Sequence, residues 1–262
     1  MKMILDMNAL LGRWPFAPLK YDNVDGILTL MDRAGIDKAV VTSLNSVFYY
    51  DCEIGNREVG EACKQYPDRF IPLAVINPNL LLWRDHLKEC IEEYGIKGIK
   101  LHPDYHKFSL LEGKTAEVMQ EARRLELPVY IQTSLLDMRH HPGYCLVSEV
   151  PISEVAQAVD RYSENTFIVG GGQWFMQKAV QLVNSVRKSK SLYIVTDGCG
   201  GPFDGLGTLV EQIGSSRLLF GTRIPILYAE ASKLVIEQSD ISAEDREKIL
   251  GGNVAKLLSL TR

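Results

Sequence analysis

Four of the five histidines in this chain occur in two short segments, each just after a predicted strand. His102 and His106 lie in the first segment and His140 and His141 in the second, whereas His86 lies on a predicted helix. Imidazole titrates near neutral pH, so this clustering suits general acid–base catalysis, led by His102 and His106. Imidazole is also a common metal ligand. The same residues can therefore hold an adventitious metal, or each can be an ordinary loop residue.

A second set of residues suits the binding of an anion. Lys100 and Arg223 are cations at predicted strand ends, and Asn8 and Gln132 are amides in similar positions. A guanidinium can bind a carboxylate through two hydrogen bonds, and amides can orient the bound group. We therefore expect Arg223 and Lys100 to hold a small anionic substrate. Lys100 can alternatively form a Schiff base if it is desolvated.

The alternation of side chains along strands indicates which residues share a face. Residues two apart lie on the same side, which pairs Asp6 with Asn8, Lys100 with His102, Tyr130 with Gln132, and Gly221 with Arg223. If one of each pair faces inward, the anion-binding residues and His102 converge on one cavity. The alternative is an internal layer of salt bridges, because buried cations need partners. Its carboxylates would be Asp6, Asp104 or Asp197.

Aromatic residues are frequent in the predicted loops. They can enclose an apolar or ring-shaped substrate, or simply pack over the rim; they are Trp14, Phe16, Phe48, Tyr49, Tyr105 and Trp174. Glycine runs after the sixth and seventh strands, at 170–172 and 198–201, can cradle a phosphate or form turns. The expected substrate-binding residues are Asn8, Arg13, Trp14, Tyr105, Gln132, His140, His141 and Trp174.

Strands and helices alternate along the whole chain, which predicts one (β/α)8 barrel domain over residues 1–262. The predicted strands are Met3–Met7, Ala39–Ser43, Ile71–Ile76, Gly98–Leu101, Pro128–Gln132, Thr166–Val169, Leu192–Val195 and Arg217–Phe220. The predicted helices are Val24–Ala34, Ile54–Tyr66, Trp83–Tyr94, Thr115–Leu125, Ile152–Tyr162, Gln177–Lys188, Leu206–Ile213, Tyr228–Gln238 and Ala243–Leu258. The longest loops follow strands one, four and five, so they should build the site on the C-terminal face.

Composition narrows the classes of partner. With 29 Lys and Arg against 33 Asp and Glu, the net charge is −4, so nucleic acid and anionic membranes are poor candidates. No apolar run is long enough for a membrane span, and no signal peptide opens the chain. Five widely spaced cysteines favour buried thiols over disulfides. We expect a cytoplasmic protein.

Four segments resemble the amidohydrolase-related family of barrels, which contains metal-dependent hydrolases and decarboxylases. They are the segments from Asp6 to Gly12, from Gly95 to Pro103, from Leu219 to Pro225 and from Ile249 to Leu258. The first is similar to the D-x-H-x-H-x-G signature of strand one, and the third to the F-G-S-D-x-P phrase of strand eight. The resemblance covers nearly the full chain and implies the same barrel fold. By analogy it also suggests a homodimer.

The chain departs from the family at the metal positions. Family zinc sites use histidines of strands one, five and often six, and an aspartate of strand eight. The matching residues here are Asn8, Leu10, Gln132, Gly171 and Arg223. Zinc requires three or four nitrogen, oxygen or sulfur ligands, and this set does not supply them. We therefore expect no metal ligands and no cofactor.

Three functions follow from these observations. The first is an amidohydrolase-like hydrolase that acts on a small, anionic organic substrate, a carboxylate above all, without zinc. The second is a barrel without catalytic activity, which binds a ligand or serves as a partner subunit. The third is a lyase, either a decarboxylase or an enzyme that uses Lys100 covalently.

Overall fold

A computed structural model describes residues 3–49, 51–137, 141–172, 175–198 and 205–260. Within them, parallel strands of short, buried and largely β-branched segments form a closed barrel, which confirms the predicted (β/α)8 fold. The strands are β1 (Leu5–Leu11), β2 (Lys38–Ser43), β3 (Phe70–Pro72 and Ala74–Val75), β4 (Ile99–Leu101), β5 (Val129–Gln132), β6 (Phe167–Gly170), β7 (Leu192–Val195) and β8 (Leu218–Leu219).

Hydrogen bonds between the first and last strands close the barrel. The Met7 amide donates to the Phe220 carbonyl at 2.7 Å, and the Leu10 amide donates to the Ile224 carbonyl at 2.8 Å. The two segments of β3 belong to one barrel strand, because Leu73 between them still donates to the Val41 carbonyl of β2 at 3.1 Å. Each remaining strand pairs in parallel with the next strand in sequence.

The helices of the described residues surround the barrel or lie in its loops. They are α1 (Val24–Ala34), α2 (Asn45–Phe48), α3 (Cys52–Gln65), α4 (Trp83–Tyr94), α5 (Pro103–His106), α6 (Gly113–Arg124), α7 (Ile152–Arg161), α8 (Phe175–Ser185), α9 (Gly205–Ile213), α10 (Ala229–Gln238), α11 (Ala243–Glu247) and α12 (Asn253–Leu257). The predicted bounds of α1 and α4 are confirmed to the residue. No helix here is long and apolar enough to cross a membrane.

Strand β1 differs from the prediction in a way that matters for the site. It extends to Leu11, so Asn8 and Leu10 lie within the strand and not in a loop. Its register with β2 shifts between Asp6 and Ala9. A bulge inserts an extra residue and changes which side chains face inward. The predicted pairing of Asp6 with Asn8 on one face is therefore wrong.

The two ends of the barrel interior are filled differently. At the N-terminal end an apolar layer, which includes Leu5, Met7 and Leu219, packs against Val254 and Leu258 of the last helix. That helix was predicted as one element from Ala243. It is instead interrupted by a π-helical segment, Lys248–Gly252, where Gly251 lies so close to the Met3 carbonyl that a Cβ would be 2.2 Å from it.

Candidate active site

Arg223 lies inside the barrel, and each nitrogen of its guanidinium contacts a protein oxygen. Nε donates to Asp197 Oδ2 at 3.0 Å, Nη1 donates to the Leu135 carbonyl at 2.8 Å, and Nη2 donates to the Gly171 carbonyl. Nη2 also lies 3.0 Å from Asp197 Oδ1. Arg223 and Asp197 therefore form a buried ion pair, which is one of the two interpretations that the sequence left open.

The backbone at Arg223 has an unusual conformation. Its φ is 58°, in the left-handed region that residues with a side chain rarely adopt. The Arg223 amide donates to the Asn8 carbonyl at 2.7 Å, which ties this turn to strand β1. The strained backbone thus directs the guanidinium inward, beside the end of β7.

Asn8 connects the ion pair to the other predicted polar residues. Its Nδ2 donates to Asp197 Oδ2 and, at 3.2 Å, to Gln132 Oε1, while its Oδ1 accepts from Lys100 Nζ at 2.6 Å. Gln132 in turn donates to the Ser134 carbonyl at 2.8 Å. The structure thus brings together Asn8, Lys100, Gln132 and Arg223, as predicted. We call these four residues with Asp197 the polar layer.

Lys100 has only uncharged groups as its direct partners in this layer. Besides Asn8 Oδ1, its ammonium lies 4.4 Å from the ring centre of Tyr130, its partner in register on the neighbouring strand β5. Burial lowers the pKa of Lys100 to about 7, and the charge of Asp197 offsets only part of this effect. The positive charge of Arg223 lowers it further. The amine is thus largely neutral in slightly alkaline solution.

A second group of polar residues lies at the C-terminal end of β4. His102, Asp104 and His106, which we call the proton-transfer group, have buried ring nitrogens and carboxylate oxygens without a hydrogen bond of normal geometry in the described residues. The two imidazole rings lie 6.1 Å apart, edge to face. Asp104 and His106 both lie on the short helix α5, and Asp104 is buried. From the sequence, Asp104 is expected only as a salt-bridge partner.

Burial moves the pKa of each member of this group. It lowers the pKa of His102 well below its ordinary value, and it lowers the pKa of His106 to about 4. Burial likewise raises the pKa of Asp104 to about 7. Burial therefore favours the uncharged form of both imidazoles and of the carboxyl group. A neutral imidazole can accept a proton and a carboxylic acid can donate one, so these three groups suit proton transfer.

Asp6, on the other side of the β1 bulge, has a structural role. Its carboxylate accepts hydrogen bonds from the Asn8 amide at 2.9 Å, from the Thr222 amide at 3.0 Å and from the Thr222 hydroxyl. Burial raises the pKa of Asp6 to about 6. These bonds join β1 to the segment that follows β8, so Asp6 holds Asn8 and Arg223 in place without entering the polar layer.

Aromatic side chains cover the opening of the barrel above the polar residues. Trp14 is buried and packs edge to face on Phe16 and Phe48, with ring centres 5.2 and 5.4 Å away. The Tyr105 hydroxyl lies 2.5 Å from His141 Nε2, and the His141 ring packs against Trp14. The predicted residues Trp14, Tyr105 and His141 therefore meet in one cluster, which is packing of the kind expected over a barrel rim.

Other predicted residues are not part of this arrangement. Arg13 is exposed, although its neighbour Trp14 is buried. His140 and Trp174 lie outside the described residues, as does most of the glycine run at 198–201. Asp197, which completes the polar layer, was considered from sequence only as one of three salt-bridge partners. Asp197 lies in a 3₁₀ turn after β7, where the strand period of two no longer applies, so the sequence pattern does not single it out.

The donors in the polar layer do not fit the metal site of the family. Asn8 Oδ1 accepts from Lys100, and Gln132 Oε1 accepts from Asn8. Leu10 packs in an apolar cluster with Trp14, and Arg223 places a fixed positive charge where a cation would lie. One carboxylate, Asp197, remains in the layer, and it is already bonded to Asn8 and Arg223.

A separate group of ligand-type residues lies outside the barrel. Ligand atoms of Asp51, Glu53 and His86 all lie within 4.8 Å of one another. His86 Nε2 is 3.1 Å from Glu53 Oε2, and Nδ1 is 3.7 Å from Asp51 Oδ1. These side chains are partly exposed and already form ion pairs when His86 is protonated. They have no contact with the polar layer.

Comparison with known proteins gives both a family and a fold. The sequence model described as amidohydrolase matches residues 10–260. No curated protein sequence matches the chain.

Among solved structures, a 2,6-dihydroxybenzoate decarboxylase from Rhizobium is 18% identical, with a TM-score of 0.73 and 99% of both chains covered. A 5-carboxyvanillate decarboxylase from Sphingomonas paucimobilis is 14% identical, with a TM-score of 0.74 and full coverage of both chains. A dihydroxybenzoic acid decarboxylase from Polaromonas with bound manganese and 2-nitroresorcinol is 19% identical, with a TM-score of 0.72, 100% of this chain and 98% of that chain covered.

Proposed function

The chain belongs to the amidohydrolase family, and from that premise we propose that it is a metal-independent lyase that removes carbon dioxide from a small organic acid. The proposal is carried by one observation, the proton-transfer group. Leaving a buried polar group without a partner costs about 1–3 kcal/mol, and such groups in a native protein usually have a functional reason. Here His102 is such a group. It follows a barrel strand at the end where barrels bind their substrates, and Asp104 and His106, which interact with backbone groups, follow directly after it.

Decarboxylation suits these residues better than hydrolysis. Hydrolysis of an amide or a lactone requires an activated water and stabilisation of an oxyanion, which a metal commonly provides. Loss of carbon dioxide requires a group that accepts an electron pair and a proton donor for the carbon that remains. The similar structures are named as decarboxylases of small carboxylic acids. These decarboxylases support the lyase alternative.

The residues of the site take distinct roles in this proposal. His102, Asp104 and His106 move protons, and Lys100 contacts the substrate in the polar layer. Arg223 acts through Asp197, because its own donors are used within the protein. Asn8 and Gln132 orient Lys100 and Asp197. Trp14, Tyr105 and His141 cover the substrate and must part to admit it. Arg13, His140 and Trp174 remain predicted contacts.

Release of carbon dioxide by the purified protein tests the proposal. The protein is incubated with 2,6-dihydroxybenzoate, acetoacetate and oxaloacetate, with and without EDTA. We expect EDTA-insensitive release from at least one acid, because no metal site is built from the polar layer. His102→Gln should abolish release, whereas the matched variant His86→Gln should retain it, since His86 lies outside the barrel.

Two results would contradict the lyase. The first is release that depends on added manganese or zinc, since this would restore the family metal site. The second is equal release by the wild type and His102→Gln, since the proton-transfer group would then be dispensable. Cleavage of an amide or lactone, with no release from any acid, would favour the hydrolase.

A second candidate function is a barrel that binds a ligand without turnover. It is favoured by the bonding of all three guanidinium nitrogens of Arg223 within the protein and by the burial of Lys100, His102 and Gln132. Thermal stabilisation by an acid that releases no carbon dioxide would support this candidate. A single domain over residues 1–262 and a homodimer stay predictions, which limited proteolysis and light scattering can check.

A further inference from the structure

The polar layer contains two buried basic side chains, Lys100 and Arg223. Its one carboxylate, Asp197, pairs only with Arg223. Both oxygens of Asp197 lie 3.0 Å from nitrogens of Arg223, and Oδ2 also accepts from Asn8. Lys100 forms no ion pair with any carboxylate in the described residues, and its hydrogen-bond acceptor is a neutral amide oxygen. A buried ammonium without a counter-ion is costly. The arrangement therefore favours Lys100 as a neutral amine.

A neutral, desolvated amine is the form of lysine that attacks carbonyl carbons. Enzymes obtain it by placing the lysine in an apolar pocket or beside another cation. Lys100 is desolvated, because it is 1% exposed and lies over the Tyr130 ring, and it shares a layer with the cation Arg223. The pKa of about 7 that burial gives Lys100 agrees with this geometry.

We propose that Lys100 is a covalent nucleophile that forms an imine with the ketone of a β-keto acid, the substrate class of the site. This inference rests on the lyase proposed above and specifies how it works without a metal. An imine carbon accepts the electron pair that departing carbon dioxide leaves behind. It thus supplies the electron-accepting group for decarboxylation that the polar layer otherwise lacks.

The reaction balances with one proton taken up in total. Nζ of Lys100 attacks the ketone carbon, and the former carbonyl oxygen leaves as water after protonation, which gives an iminium. The bond between the α carbon and the carboxylate breaks, and its electron pair forms an enamine as carbon dioxide leaves. The proton-transfer group then protonates the α carbon. Water adds to the iminium, the ketone departs, and the amine of Lys100 is regenerated.

Reductive trapping tests Lys100 directly and requires no variant. The wild-type protein is mixed with acetoacetate or oxaloacetate and sodium borohydride, and the modified peptide is identified by mass spectrometry. We expect a stable adduct on Lys100. With acetoacetate its added mass is that of an isopropyl group if carbon dioxide leaves before reduction, and that of the whole reduced acid if it does not.

The pH dependence of trapping distinguishes Lys100 from surface lysines. At pH 7 its neutral fraction should exceed that of an exposed lysine by about a thousandfold. Adduct formation should therefore rise through pH 7 on Lys100 but not on Lys97, which lies three positions before Lys100 and is exposed. Lys100→Arg should lose the adduct and Lys97→Arg should keep it. No adduct on Lys100 from either acid, or one no faster than on Lys97, overturns the inference.

Different results would contradict the imine on Lys100 and the proposed lyase. Carbon dioxide released from 2,6-dihydroxybenzoate, without any adduct on Lys100, would leave the metal-independent lyase intact and remove the imine. An adduct on Lys100 of the whole acid, without release of carbon dioxide from any acid, would establish the nucleophile and overturn the lyase. Release from acetoacetate that persists in Lys100→Arg also overturns the imine.

Discussion

The two ends of the barrel interior are filled by different kinds of side chain. The N-terminal end is filled by apolar side chains such as Leu5, Met7 and Leu219, which pack without regard to charge. Toward the other end, the polar layer holds the buried ion pair of Arg223 and Asp197, and Asn8 connects this pair to the amine of Lys100. The apolar end gains stability from every contact. The polar end is stable only while each charge keeps its partner, so we expect it to be more fragile.

Loss of the Asp197 charge should have the largest effect on stability. Asp197→Asn keeps the side chain's shape but leaves the Arg223 guanidinium buried and unpaired, which should cost about 3–5 kcal/mol. Urea unfolding followed by circular dichroism measures this loss. A second change, Arg223→Gln, should recover much of it, because no unpaired charge then remains.

The matched control for Asp197 is an exposed ion pair. Glu230 lies 2.8 Å from Arg33 on the surface, and Glu230→Gln should cost less than about 1 kcal/mol because solvent screens such pairs. Equal losses for Asp197→Asn and Glu230→Gln would show that the buried pair contributes no more than a surface pair. The proposed fragility of the polar end would then be wrong.

A change in the apolar layer should cost somewhat less and should leave the chemistry intact. Met7→Ala removes a buried side chain and should destabilise the fold by about 2–5 kcal/mol, depending on how far the cavity collapses. Trapping of Lys100 by borohydride should be unchanged, because Met7 belongs to the apolar layer and supplies no polar atom to Lys100. Leu81→Ala is the control, since Leu81 is 99% exposed. A Met7→Ala protein that no longer forms the Lys100 adduct would show that the two ends are coupled.

The proton-transfer group should reduce stability at neutral pH. Burial raises the pKa of Asp104 from 3.8 to about 7, so the folded protein holds this proton more tightly than the unfolded chain does. The stability due to Asp104 is therefore complete below pH about 4 and is lost as pH rises to about 7. Asp104→Asn should then be more stable than the wild type at pH 8, by about 1–3 kcal/mol.

Unfolding measured at several pH values tests whether the stability due to Asp104 falls as the pH rises. The slope of stability between pH 4 and 7 should be smaller in Asp104→Asn, with a remainder due to Asp6, whose pKa burial also raises. Asp68→Asn is the control, because the Asp68 side chain is 98% exposed. A variant that is less stable than the wild type at pH 8 would mean that the carboxylate has a stabilising partner.

Sequence patterns predicted the fold and much of the polar layer, for identifiable reasons. Alternation along β4 and β5 places Lys100 and Gln132 inward, because regular strands keep a period of two. The same rule failed at Asn8, since nothing in the local pattern of β1 reveals the bulge. The partner of Arg223 was left among three aspartates, because the choice depends on how the ends of β7 and β8 meet. The burial of Asp104 depends on the short helix α5, which is too short to leave a periodic signal.

The smallest effect is expected outside the barrel, where Asp51, Glu53 and His86 offer the residue types of a metal site without its burial. His86→Gln removes two ion pairs that are partly exposed, so it should change stability by less than about 1 kcal/mol. Added zinc should not raise the melting temperature of the wild type, because each of these side chains already has a partner on the surface. A rise that is absent from His86→Gln would instead identify a zinc site on the helix layer. The protein would then have a third kind of region, an outer surface that binds a metal, although the donors of the polar layer do not fit the metal site of the family.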